Sequence, residues 1–138
     1  MKIFSKALLL LLTIVSISSC DLSSDDEQTC VYYEGAATTA VTGPDTAAVN
    51  EEISLNVSYL GRVDCGTFYQ FYEASDVNDV NTITITVNTK IESCNCGTAS
   101  TTKTVVYKFK ALSAGVYKLK FKKSNEPNDF ILKTITVA

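Results

Sequence analysis

Val105-Val106-Tyr107-Lys108-Phe109-Lys110-Ala111-Leu112-Ser113-Ala114-Gly115-Val116-Tyr117-Lys118-Leu119-Lys120-Phe121-Lys122 is the stretch that decides how this chain folds. On either side of a small-residue turn, large apolar residues alternate with lysines. Tyr107 and Phe109 alternate with Lys108 and Lys110, and Tyr117, Leu119 and Phe121 with Lys118, Lys120 and Lys122. A period of two puts one set on each face of a strand, so both runs read as half-buried strands. The pattern recurs upstream. Ile53, Leu55, Val57 and Tyr59 alternate with Ser54, Asn56 and Ser58, and Ile83, Ile85 and Val87 with Thr82, Thr84, Thr86 and Asn88. Weaker strands are expected at 36–42, 67–73 and 130–137. In the last, Lys133 shares parity with Ile131 and Ile135, which predicts a bulge or an edge position. Turn signals such as Gly43-Pro44-Asp45 and Asn125-Glu126-Pro127-Asn128 separate the runs. The expectation is an all-β fold, one antiparallel sandwich of seven or eight strands over residues 36–138.

Composition narrows the chemistry. The 138 residues include five cysteines, one methionine and no histidine or tryptophan. Without histidine there is no Ser-His-Asp or Cys-His catalysis, His-ligated zinc or imidazole proton switch. No acid sits in a strand interior or in a motif suggesting a catalytic pair, so no enzyme and no cofactor are expected. Asp76-Val77-Asn78-Asp79 has the acids of a calcium loop but lacks the Gly and downstream Glu of an EF-hand, and reads as a solvated turn.

The N-terminus reads as an address. Lys2 and Lys6 precede an apolar run of eleven residues, 7–17, broken only by Thr13 and Ser16. That is a secretory signal over 1–19, too short for a spanning helix of roughly 20 residues. Ile17-Ser18-Ser19-Cys20 resembles a bacterial lipobox. The resemblance implies cleavage before Cys20, lipidation of its thiol and attachment to the membrane through that anchor. Residues 20–35 read as an acidic tether. Within them Ser24-Asp25-Asp26-Glu27 looks like the export signal of Bacteroidetes lipoproteins. This implies an outer-membrane lipoprotein displayed at the surface, with a periplasm-facing one as the alternative.

Ala114-Gly115-Val116-Tyr117-Lys118-Leu119 resembles the tyrosine corner of immunoglobulin-like domains. Leu119 stands where antibody domains carry a cysteine, and their buried tryptophan is missing. The resemblance is therefore to the divergent Ig-like modules of bacterial surface proteins, and it carries no catalytic residues across.

Removing Cys20 from the count leaves Cys30, Cys65, Cys94 and Cys96. Export into an oxidising compartment makes two disulfides the expectation. Cys94–Cys96 is disfavoured by the tightness of its ring, so Cys30 and Cys65 each join one member of Cys94-Asn95-Cys96. The pairing leaned towards is Cys65–Cys94 with Cys30–Cys96.

Charge divides along the chain. Residues 20–79 hold twelve acids and one base, a net −11, whereas residues 80–138 hold three acids and nine lysines, a net +6. If 105–110 and 117–122 form a hairpin, Lys108, Lys110, Lys118, Lys120 and Lys122 share one outer face. That face is a candidate for an anionic polysaccharide, anionic lipid or acidic partner. The preferred reading of these lysines is solvation that keeps sheets from pairing edge to edge, since lysine is common on strands facing water. Nucleic acid is not expected, because the mature chain is acidic and no aromatics interleave with these lysines.

Phe68-Tyr69-Gln70-Phe71-Tyr72 places aromatics on both faces of one strand, so the strand is covered twice or some rings are exposed. Exposed tyrosines stack on sugars or anchor proteins, and Tyr32 and Tyr33 are candidates to join them. Asn56-Val57-Ser58 is an N-glycosylation sequon inside a strand. Asp45-Thr46-Ala47 resembles a Bacteroidetes O-glycosylation motif, with Thr46 the acceptor. The leading functional expectation is a non-enzymatic binding or accessory module for a glycan or protein partner. The alternatives are a secreted protease inhibitor presenting the 88–103 connection, and a purely structural envelope component.

Overall fold

A computed structural model describes residues 30–138. In chain order the strands are β1 (Val31–Ala36), β2 (Thr38–Thr42), β3 (Thr46–Ala47), β4 (Glu52–Arg62) and β5 (Gly66–Ser75). They continue as β6 (Thr82–Glu92), β7 (Ser100–Lys110), β8 (Gly115–Lys122) and β9 (Phe130–Val137). The described residues form no helix, and none is therefore long and apolar enough to cross a membrane. The alternating runs became β4, β6, β7 and β8, with inward Leu55, Val57, Ile85, Val87, Leu119 and Phe121 fully buried.

Nine strands form where seven or eight were expected. β1 lies within residues expected to be tether, so the folded domain begins before residue 36. Val31-Tyr32-Tyr33-Glu34 is too short to show a period, and pairing with β6 makes it a strand. β3 is two residues long and exists through its pairing with β9.

The strands make a sandwich. One sheet holds β1, β5, β6, β8, β9 and β3, and the other holds β2, β4 and β7. Strand β6 is the spine of the larger sheet. One of its edges carries β5 throughout, and the other carries β8 beside Thr82–Ile85 and then β1 beside Val87–Glu92. The sandwich is not purely antiparallel, because β6/β8 and β3/β9 are parallel pairs. The first arises because β7 crosses to the opposite sheet between β6 and β8, a crossover that parallel strands require.

Edge-to-face rings join the two layers. Tyr107 of β7 packs against Phe71 at 5.0 Å and Phe121 at 5.5 Å between centroids. Phe109 meets Tyr117 at 5.3 Å. The Tyr117 hydroxyl donates to Ser113 O at 3.0 Å, which is the bond back across the corner that a tyrosine corner makes. At the far end Arg62 of β4 grips Glu34 of β1 with two hydrogen bonds, 2.7 and 3.0 Å, tying sheet to sheet.

Lys133 shows no bulge, since the β8/β9 register is unbroken. β3 covers only Thr136 and Val137 of β9, so Lys133 reaches over the open edge to Gly43 O and the Asp45 carboxylate. Gly43 itself has φ +142°, and a Cβ there would lie 2.7 Å from Leu55 Cδ2, so the turn requires glycine.

Candidate functional site

β5 contains a bulge between Phe68 and Gln70, which pair with Thr89 and Asn88 of β6. Tyr69 is the extra residue. The bulge changes the parity of the strand, so Phe68 and Phe71 both turn into the core while Tyr69 and Tyr72 both turn out. The two-sided aromatic run is thus sorted by one inserted residue. Tyr33, on β1 across β6, points out beside them, and its ring centroid is 4.6 Å from that of Tyr69. Tyr33, Tyr69 and Tyr72 are 53%, 49% and 59% exposed. Tyr32 does not join them, because it pairs with inward Ile91 on the other side of the strand.

Lys90, on β6 opposite Tyr33, stands beside both rings and is paired with Glu92. That carboxylate holds the ammonium above its ordinary pKa. Two rows further along, past Asn88, Tyr72 pairs with Thr86 of β6. Lys122 follows Phe121, the partner of Ile85, and pairs with Phe130 of β9. Tyr72, Thr86, Lys122 and Phe130 therefore cross the outer face in one line. The next line holds Ala74, Thr84, Lys120 and Leu132, and the Lys120 ammonium sits 5.1 Å from the Phe130 ring centroid. Because β1 and β8 both end opposite Thr86, a cleft of about 210 Å³ opens there, lined by Gly35, Ala36, Thr86, Lys122, Lys123 and Asn125 among others.

The expected five-lysine face does not form. β7 and β8 belong to opposite sheets, so the turn between them passes from layer to layer and makes no hairpin. Lys108 and Lys110 face out from the smaller sheet, and Lys118, Lys120 and Lys122 from the larger. Strand alternation gives in or out, but not which sheet. Two of the five ammonium groups, and that of the adjacent Lys123, are also occupied. Lys108 bonds Glu52 at 2.8 Å, Lys118 reaches Asp79 at 3.5 Å and Lys123 reaches Asp129 at 3.2 Å. The Lys108 bond holds the Glu52 carboxyl below its ordinary range.

Both disulfides form, but with the partners exchanged relative to the expectation: Cys30–Cys94 and Cys65–Cys96, with Cα separations of 4.8 and 5.8 Å. Strand register explains the exchange. Val31 pairs with Glu92, which carries Cys30 just past the end of β6 towards Cys94. Cys65 approaches from the β5 side, where its carbonyl accepts the Glu92 N–H at 3.2 Å, leaving Cys96 as its partner. Residues 93–99 are the whole loop of the expected 88–103 connection, the rest being strand.

Asp76 and Asp79 are spent inside the β5–β6 turn. Asp76 accepts the Asn78 N–H at 2.9 Å, and Asp79 accepts the Asn81 N–H at 3.2 Å and the Thr82 hydroxyl at 2.7 Å. The Thr82 bond leads the causes that lower the Asp79 pKa. Among the described residues no three potential ligand side chains converge on a metal-sized site. Thr46 is exposed on β3, following rather than inside the turn. Asn56 and Ser58 stand on β4, where Ser58 Oγ lies 3.1 Å from Thr104 Oγ1. Cys20, the signal 1–19 and the tether up to residue 29 lie outside the described residues. No family model, no curated protein and no solved structure matches the chain.

Proposed function

We propose that this chain is a lipid-anchored protein of the outer membrane, displayed at the cell surface, whose sandwich is a non-enzymatic glycan-binding module. The observation that carries the reading is the group of three exposed tyrosines, Tyr33, Tyr69 and Tyr72, on one face of a six-stranded sheet. Tyrosine offers an apolar ring for the C–H face of a sugar and a hydroxyl for its polar edge, at little entropic cost. Threonines 84 and 86 supply hydroxyls between the rings and β8. The strands hold all of these groups in place before the ligand arrives. The lipobox at Cys20 and the acidic run after it support the location.

Affinity electrophoresis of residues 21–138 through gels containing neutral or acidic polysaccharides tests the binding. Retarded migration in at least one gel is expected, and unchanged migration in all of them contradicts the reading. Protease shaving of intact cells tests display, which requires loss of the domain.

Protease inhibition is the second reading. What favours it is exposed Asn95, held between two cross-linked cysteines in loop 93–99. A protease panel decides it, since inhibition abolished by substituting Asn95 is expected on that reading alone.

A further inference from the structure

We infer that the glycan taken by this face is an acidic one, a carboxylated or sulfated polysaccharide whose anionic groups meet Lys120 and Lys122. The inference rests on the reading of the tyrosine face as a glycan site.

The lysines of the domain are largely neutralised. Lys90, Lys108, Lys118, Lys123 and Lys133 each have a carboxylate, and Lys103 donates to the carbonyls of Arg62 and Gly66. Among the described residues Lys110, Lys120 and Lys122 form no ion pair. Lys110 stands on the smaller sheet within the field of Glu52. The two remaining ammonium groups are successive outward residues of β8, on the same face as Tyr33, Tyr69 and Tyr72. Residues 30–138 hold eleven acids against ten bases, so carboxylates are not scarce. None stands beside Lys120 and Lys122 on the adjoining strands, where their outward neighbours are Thr84, Thr86, Leu132 and Phe130, and Asp129 of the following turn is paired with Lys123.

The geometry fits a chain of sugars. Tyr72 and Lys122 stand on one line two strand spacings apart, ~10 Å between backbones, with Thr86 between them. A ring stacked on Tyr72 thus places its neighbour over Thr86 and an acidic substituent at Lys122. There the cleft at the β1/β8 junction offers Asn125 as a further donor. The Lys120 ammonium, drawn over the Phe130 ring towards the same line, meets a second acid. A lipid surface fits less well. The face intersperses Leu132 and Phe130 with tyrosine and threonine hydroxyls and lysines, and it is the flat surface of a sheet from whose centre the described residues project no apolar loop.

Binding by thermophoresis of residues 21–138 tests the inference with four probes: oligogalacturonate, dextran sulfate, neutral maltoheptaose and vesicles containing anionic phosphatidylglycerol. The expected result is binding to at least one acidic probe, weak or no binding to maltoheptaose, and loss of affinity in 0.5 M salt. Lys120→Gln/Lys122→Gln should weaken binding of that acidic probe by about five- to tenfold, with unchanged melting temperature. Lys108→Gln/Lys110→Gln, on the opposite face, should leave it unchanged. Equal binding of maltoheptaose, or no effect of the Lys120/Lys122 pair, overturns the acidic preference and leaves the glycan reading standing. Binding to vesicles but to no saccharide overturns both.

Discussion

The rings of Tyr33 and Tyr69 meet 4.6 Å apart although their strands lie on opposite sides of β6. Each leans over the central strand beside Lys90, and neither is buried. A folded sheet has no packing need for two half-exposed aromatic rings on its solvent face. On the proposed reading this pair is the platform for a sugar ring.

The bulge that aims Tyr69 outward makes an asymmetric expectation for two residues of like parity. Tyr69→Ala should change stability by less than about 0.5 kcal/mol, as an exposed substitution. Phe71→Ala, which removes a ring packed on Tyr107 and Phe68, should cost about 3 kcal/mol. Without the bulge the two would share a face and behave alike. Chemical denaturation of both variants gives the comparison.

Peptide mapping of non-reduced protein, with fragmentation between Cys94 and Cys96, should give Cys30–Cys94 and Cys65–Cys96. Replacing Cys65 and Cys96 together by serine should cost about 3–4 kcal/mol, since the bridge closes a separation of 31 residues. Finding Cys30–Cys96 with Cys65–Cys94 would contradict the observed pairing.

Acid should weaken the fold through carboxylates whose pKa is lowered in the native state. Asp79 is one, held by the Thr82 hydroxyl, the Asn81 N–H and Lys118, and Asp129 is another, held by Ser124 and Lys123. A lowered native pKa means that the unfolded chain takes up the proton first as pH falls. Their stabilisation is present above the ordinary carboxylate value of 3.8 and is lost as pH falls through the lower native value. Melting temperature followed from pH 6 to pH 2 should fall at the acid end, and less steeply in Asp79→Asn.

The strands were legible because alternation is a local property. Leu55, Val57, Leu119 and Phe121 announce their faces within a few residues. What the sequence hid was long-range. Whether the strand of Lys108 lies beside that of Lys118 depends on sheet membership, and the turn at 111–114 looks the same whether it closes a hairpin or crosses between layers. The bulge at Tyr69 was equally hidden, since nothing in Phe68-Tyr69-Gln70-Phe71-Tyr72 shows that β6 will match two residues with one. β1 was missed because its strand character comes from β6 and from Cys94. The tyrosines were legible as candidates, but only the fold could say which pair would touch.

A glycan array probed in parallel with residues 21–138 and with their Tyr33→Ala/Tyr69→Ala variant tests the tyrosine face most directly. Signals on a coherent set of oligosaccharides, lost in the variant at an unchanged melting temperature, are the expected result. An empty array for the parent protein, or a variant that keeps every signal, would contradict the assignment of this face to glycan binding.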